Sequence, residues 1–245
     1  MRESSICLIC KNPNDIWINF LREFSSYDIY IIVDDNSKDY SKEYSRDEEI
    51  KIVQISDKEC NDSGYIKMSY LMTGKLVSGW DKSIYYFSKK NIGYKNVWFI
   101  EDDVFLHDER CLLEIDSKYK NSDLLSNIYS ENAVGEKKYW HWKSIEIKHK
   151  PPYYNAMVCS VRISSNLLCK IKDYATEHKT LFFLEALFPT ICKVNSMIYD
   201  TPSELKNIVY KREYKDIDID EKSLYHPVKD LSKHKYYREM LNKKG

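Results

Sequence analysis

The chain has 245 residues, 43% of them hydrophobic, enough for a sizeable core in one large domain. Its 38 basic and 38 acidic residues balance, which argues against a general nucleic-acid-binding surface, since that needs basic excess on at least one face. No apolar run approaches the ~18 residues of a membrane span, and "MRESSICLIC" carries no signal-peptide core, so a cytoplasmic protein is expected.

"SICLIC", residues 5–10, has the composition of a strand. Cys7 and Cys10 fall three apart within it and so point to opposite faces, which argues against a shared metal or redox role. The seven scattered cysteines suit reduced core thiols. In "NDIWINFLREF", residues 14–24, Ile16, Trp17, Phe20, Leu21 and Phe24 recur at helical spacing behind Asn14, a suitable N-cap. "DIYIIVDD" (28–35) predicts a second strand ending in carboxylates, and "EIKIVQIS" (49–56) a third. "WDKSIYYFSKKN" (80–91) predicts an amphipathic helix ending near Gly93, with Asp81 suited to the dipole of its first turn.

"VWFIEDDVF" (97–105) opens with four apolar residues without alternation, as in a strand covered on both faces, and runs directly into Glu101, Asp102 and Asp103. Further on, "DLLSNIY" (123–129), "YWHWKSIEI" (139–147) and "AMVCSVRIS" (156–164) predict strands. "SSNLLCKIKDYA" (164–175) predicts a Ser-capped helix and "TLFFLEALFPTICKVN" (180–195) a mostly buried one. From Lys211 the chain is strongly charged, as a surface segment or closing tail would be.

Strand–helix alternation in the first half predicts an α/β fold with a parallel sheet, whose ligands bind outside the carboxyl ends of the strands. Asp34–Asp35 and Glu101–Asp102–Asp103 both fall at such ends, so one crevice can hold both. Three adjacent carboxylates repel one another and cannot be buried unpaired, which calls for a cation. The first glycine is Gly64, so no Gly-rich phosphate loop follows the first strand. The charge of a bound diphosphate would be met instead by a divalent cation on the second acidic cluster.

"YIIVDDNSKD" (Tyr30–Asp39) resembles the "VDDxSxD" signature of family 2 glycosyltransferases, and "FIEDDVF" (99–105) is similar to the DxD-type motif of GT-A glycosyltransferases. The segments "WDKSIYYF" (80–87) and "EALFPT" (185–190) resemble "WDKALYYF" and "ExLFPT" in a looser set of family 2-like proteins. The match covers roughly residues 4–108 and fades beyond. It implies a GT-A type (nucleotide-diphospho-sugar transferase) fold, a mixed, mostly parallel sheet flanked by helices, in a single domain over 1–245. Residues 1–108 would be its nucleotide and metal half, 109–210 its acceptor half and 211–245 a charged end.

The resemblance implies that Asp34 or Asp35 contacts the donor's base or ribose; an Asx turn before Ser37 is the plainer account of either. It implies Mn2+ or Mg2+ at the acidic cluster, with Asp103 as the direct ligand and Glu101 and Asp102 beside the donor. Glu at position 101 departs from a strict DxD, so Glu101 is assigned to the ribose. A late histidine, here His226 in "LYHPVKD", would add a ligand; a surface histidine before Pro227 is the alternative. His141, between Trp140 and Trp142, is placed at an acceptor pocket, and Arg162 in a structural salt bridge.

Glu185 is the only acidic or basic side chain in "TLFFLEALFPTIC", an environment that raises a carboxyl pKa toward working pH, and by the resemblance it lies where family 2-like enzymes supply their base. The alternative is a structural Glu paired with Arg162 or a lysine. Together these expectations describe a metal-dependent, inverting transfer from a nucleoside-diphosphate sugar to a hydroxyl on a glycan, lipid-linked or protein acceptor. A sugar nucleotidyltransferase or a catalytically silent GT-A-like carbohydrate-binding scaffold are the alternatives.

Overall fold

The protein is described by a computed structural model over residues 2–44, 49–90 and 93–243. The first half alternates as the sequence implies: β1 (Ser4–Cys10), α1 (Asp15–Arg22), β2 (Asp28–Val33), α2 (Tyr40–Glu43), β3 (Ile50–Gln54), α3 (Asp57–Asp62), α4 (Tyr70–Thr73), α5 (Gly79–Tyr85) and β4 (Asn96–Glu101). The second half adds α6 (Glu109–Lys118), β5 (Leu124–Leu125), β6 (Tyr129–Asn132), β7 (Tyr153–Ala156), β8 (Ser160–Ser164), α7 (Ser165–His178), α8 (Leu184–Val194), β9 (Tyr199–Asp200), β10 (Asn207–Ile208), β11 (Tyr225–His226) and α9 (Leu231–Asn242).

Seven strands form one sheet in the order β3-β2-β1-β4-β8-β5-β9. All run parallel except β8, which is antiparallel to both β4 and β5. This is the mixed, mostly parallel architecture expected from the sequence. Alternate residues of β1 serve opposite cores. Cys7 and Ile9 pack with Tyr30, Phe99, Trp80 and the helices α5, α7 and α8, while Ile6, Leu8 and Cys10 pack with Trp98, α1 and α6. Cys7 and Cys10 therefore lie on opposite faces, and all seven cysteines are free. Double-sided burial is why these strands show apolar runs without alternation.

Asn14 caps α1 by accepting the Trp17 amide, and Ser164 caps α7 by accepting that of Leu167. α1 buries Trp17, Ile18 and Leu21, each stabilising the fold by about 1.5–3 kcal/mol. α5 continues as a wider π turn over Tyr86–Lys90, so the predicted helix is less regular than its periodicity suggests, and its end abuts residues 91 and 92, which lie outside the described ones.

Four expectations need correction. Residues 139–147 form no strand: they make a loop with one short 3-10 turn, Trp142–Ser144. Trp142 and Ile145 are buried against the main core, with Trp140 and Ile147 partly so, and the apolar pattern there reflects side-chain packing and not a ladder. "AMVCSVRIS" is divided between β7 and β8, which belong to different sheets, and "DLLSNIY" between β5 and β6. The buried helix begins at Leu184, leaving residues 180–183 outside it. Of the two accounts of the charged end, the closing tail is the one its packing fits. Tyr214, Ile219, Tyr225, Val228, Tyr237 and Leu241 gather around Phe105 in a third core, and β11 lies against the acidic turn.

Candidate functional site

β4 delivers its last residue, Glu101, to the carboxyl edge of the sheet, and the chain turns at once, the Val104 amide donating to the Glu101 carbonyl. Two contacts hold the turn against β1 and α1. The Asp102 amide donates to the Ile9 carbonyl at 3.1 Å, and the Trp17 indole donates to the Asp102 carbonyl at 2.8 Å. On the far side Phe105 and Tyr225 exchange backbone hydrogen bonds of 2.8 and 2.9 Å, and the Val228 amide donates to the Asp103 carbonyl at 2.7 Å. That ladder brings His226 to the acidic cluster.

His226 is buried, so the surface account of it fails. Its Nε2 stands 3.4 Å from Asp103 Oδ1 and 3.8 Å from Glu101 Oε2. Its Nδ1 lies 2.7 Å from the Val209 carbonyl, which can only accept, so Nδ1 carries a proton and Nε2 faces the carboxylates. Burial alone would depress this imidazole's pKa, but the Asp103 and Glu101 carboxylates outweigh it and the net shift is upward. Asp103 Oδ1 is buried without an adequate hydrogen bond. Cys159, buried at the start of β8's approach, joins Glu101 and His226 in a group whose ligand atoms all lie within 4.8 Å of one another. Burial pushes the Cys159 thiol well above its ordinary pKa, with the Glu101 charge adding to the effect. It thus sits as a neutral donor to Glu101.

An orphaned carboxylate oxygen, an imidazole nitrogen aimed at it and a second carboxylate are a donor set that suits a divalent cation of the Mn2+ or Mg2+ kind. The charges are otherwise poorly met. Partial burial and then Asp103's charge push Glu101's pKa up, against the Trp80 indole that donates to it at 2.5 Å. Burial, Asp103 and Glu101 push Asp102 up to about 6. Neighbouring charge thus opposes the ionisation of both Glu101 and Asp102, as expected where a cation is needed to discharge the cluster.

No protein-family model matches the chain, and no curated protein matches it in sequence. Among solved structures it is similar to 4-diphosphocytidyl-2C-methyl-D-erythritol synthase of Anaerococcus prevotii, at 7% identity and a TM-score of 0.49, over 98% of this chain and 96% of that one. A further 4-diphosphocytidyl-2C-methyl-D-erythritol synthase matches at 6% identity and a TM-score of 0.45, over 82% and 89% of the two chains. Mouse xyloside xylosyltransferase 1, in its apo form, matches at 11% and 0.40, over 81% and 85%. Likeness of this degree carries nothing about substrate or reaction.

The second acidic strand end belongs to β2, separated from β4 by β1, hence about 10 Å away at the usual strand spacing. Here Asp34 and Asp35 part company. Asp35 accepts the Ser37 amide and hydroxyl and the Tyr40 hydroxyl, at 3.0, 2.7 and 2.6 Å, and these bonds lower its pKa to about 2. It is the turn residue. Asp34 instead faces Lys75 at 3.0 Å and the buried Lys82 at 3.2 Å. It lines a cavity of about 520 Å³ with Asp57, Lys58, Asn61, Lys75, Leu76 and Val77.

One helical turn ties the two acidic ends together. Trp80 reaches Glu101, and Lys82 pairs with Asp34 and Asp57 while donating to the Asp34 carbonyl at 2.5 Å. Gly79 lets this turn start against the sheet, since a Cβ there would fall 2.8 Å from Ile9 Cγ2 and 3.5 Å from Asp34 Cβ. Between them Asp81 is fully buried. It accepts the Met68 and Ser78 amides and bonds the Ser78 hydroxyl, and burial raises its pKa to about 7. The dipole account of Asp81 is too small: it staples the preceding loop to the helix. Residue reasoning passed over Trp80, Lys82, Lys75 and Cys159 as functional; only the "WDK" resemblance pointed to the first two.

Glu185 lies in the first turn of α8, half-buried, with no hydrogen bond or ion pair among the described residues. Burial and the Glu101 charge raise its pKa to about 7, with His226 opposing. Arg162 does not pair with it. That guanidinium is buried with Asp116 at 2.9 Å and the carbonyls of Tyr119 and Ser122, which is the structural role expected for Arg162. Pro189 cannot donate to the carbonyl four residues back, that of Glu185, so this turn of α8 is also loosened at its backbone.

Proposed function

We propose that this chain is a metal-dependent glycosyltransferase that moves a sugar from a nucleoside-diphosphate donor to an acceptor hydroxyl, with inversion. The observation that carries the proposal is the Glu185 carboxyl, unpaired among the described residues, raised to about 7 by burial and coupled in charge to Glu101 and His226 of the acidic cluster. Asp34 and the cavity beside it take the donor's nucleoside. Lys75, half-exposed on that rim, can exchange Asp34 for phosphate. Asp103 and His226 would hold the cation, with Glu101 beside them. Bound there, the ion would offset negative charge developing on the departing diphosphate.

Glu185 accepts the acceptor's hydroxyl proton as the new O–C1 bond forms. The C1–O bond to phosphate breaks, and its electron pair leaves with the diphosphate. A single displacement of this kind inverts the anomeric centre. Trp80 fixes Glu101 by its indole bond, and Lys82 fixes Asp34, so the two acidic ends keep their separation through the reaction.

The test is release of nucleoside diphosphate from a panel of nucleotide sugars, with Mn2+ and with chelator. Mn2+-dependent diphosphate release supports transfer or its hydrolytic side reaction. Release of pyrophosphate from nucleoside triphosphate and sugar phosphate would mark a nucleotidyltransferase, and neither product would mark a silent scaffold.

A further inference from the structure

A second cavity, of about 430 Å³, opens on the hairpin of β6 and β7, away from Asp34 and the acidic turn. Its wall is aromatic: Tyr139, which is 62% exposed, and the rings of Trp140 and Trp142, whose centroids are 4.6 Å apart. Trp140 holds φ +49, a conformation that a bulky residue adopts only under external constraint. The constraint is visible, since Trp140 is wedged between Trp142 and Phe183. Polar groups share the lining. These include Glu131, Glu136 and Asn155, none of whose side chains makes a hydrogen bond or ion pair among the described residues.

Flat apolar faces in one cavity with free carboxylates and an amide are the chemistry that holds a sugar ring, with C–H faces on the aromatics and hydroxyls on the acceptors. A cationic ligand fits less well. Lys138 already covers the Tyr139 ring at 5.3 Å, and Lys137 donates to the Trp142 and Ile145 carbonyls, so the rim is balanced in charge. Packing links the cavity's wall to the helix that bears Glu185. Trp140 stacks on Phe183, the residue that caps α8 two positions before Glu185, and β7 is clamped to α8 by Thr190, which donates to the Tyr154 carbonyl and accepts its amide.

We propose that this cavity binds a neutral oligosaccharide and serves as the acceptor subsite. As an acceptor subsite it rests on the transferase reading; as a carbohydrate site it does not. Loading the hairpin would press on Phe183 and so on the turn that bears Glu185.

Tryptophan-fluorescence titration of the whole chain tests it, using linear neutral oligosaccharides of glucose, galactose, mannose, xylose and N-acetylglucosamine, with choline as a cationic probe. At least one oligosaccharide is expected to bind saturably in the millimolar range. Tyr139→Ala and Glu131→Gln, both at exposed positions, should weaken that binding about tenfold or more while leaving nucleoside-diphosphate affinity as in wild type. Binding of choline alone, saturation by no oligosaccharide, or equal affinity in wild type and both variants would overturn the proposal. Failure of the chain to bind nucleoside diphosphate would overturn the transferase reading and leave the carbohydrate result standing.

Discussion

His226 Nε2 faces Asp103 Oδ1 across 3.4 Å, while His226 Nδ1 is fixed by the Val209 carbonyl at 2.7 Å. The imidazole therefore arrives at the acidic turn already oriented, which a ligand requires and a merely packed histidine does not. Asp103→Asn and His226→Gln should each keep the fold and weaken Mn2+-dependent binding of nucleoside diphosphates about tenfold or more, roughly 1.4 kcal/mol. Calorimetry with and without Mn2+ checks this. Affinity equal to wild type in both variants would remove the pair as ligands.

Asp34 and Asp35 are adjacent in sequence and different in kind, one paired with lysines at a cavity and the other closed into a turn. Asp34→Asn keeps an oxygen for the buried Lys82 and should raise nucleoside-diphosphate Kd about tenfold. Asp35→Ala loses the Ser37 and Tyr40 bonds, so it should lower the melting temperature and change Kd by less than about threefold. Reversed outcomes would exchange the two assignments.

Much of this was legible in the chain because the informative contacts are local or edge-defined. β1, β2 and β4 announce themselves as apolar runs, and a run that ends in carboxylates must end at a sheet edge. Glu185 stands out by its apolar neighbours. Contacts set by tertiary pairing were not legible. His226 reaches Asp103 only because Phe105 bridges Tyr225, and nothing in "LYHPVKD" specifies that partner. Cys159 resembles any core thiol until β8 pairs with β4 and brings it to Glu101. Residues 139–147 mislead because two short alternating pairs, Trp140 with Trp142 and Ile145 with Ile147, pack a loop on the core in the manner of a strand.

The buried Asp81 makes stability depend on pH in an unusual direction. Unfolded, its carboxyl ionises near 3.8; folded, it keeps its proton to about 7. Between those values the folded chain binds the extra proton, so the contribution is greatest below about 4 and is lost as pH rises to about 7. Asp81→Asn cannot titrate, and its amide meets the Ser78 N–H donor to donor, at a cost of about 1–3 kcal/mol. The melting temperature of wild type should exceed that of the variant most at low pH, with the gap narrowing toward neutrality. A gap constant across that range would mean that Asp81 does not titrate there.

Glu185 offers the sharpest separation of chemistry from structure. With no cation paired to it among the described residues and a pKa raised to about 7, chiefly by burial, its ionised form is a cost to the fold. Glu185→Gln should therefore leave the melting temperature unchanged or raise it above neutral pH, the reverse of what a salt-bridged glutamate would do. The buried pair of Arg162 and Asp116 supplies the contrast, since Asp116→Ala strands a buried guanidinium and should cost about 3–5 kcal/mol. As a base, Glu185 works only when unprotonated, so wild-type kcat/KM should climb with pH and level off above about 7. The Gln variant should bind nucleoside diphosphate as wild type does, lose transfer by about 10²-fold or more, and lose that pH limb as well. Transfer at a near-normal rate with the limb intact would assign the proton to another group.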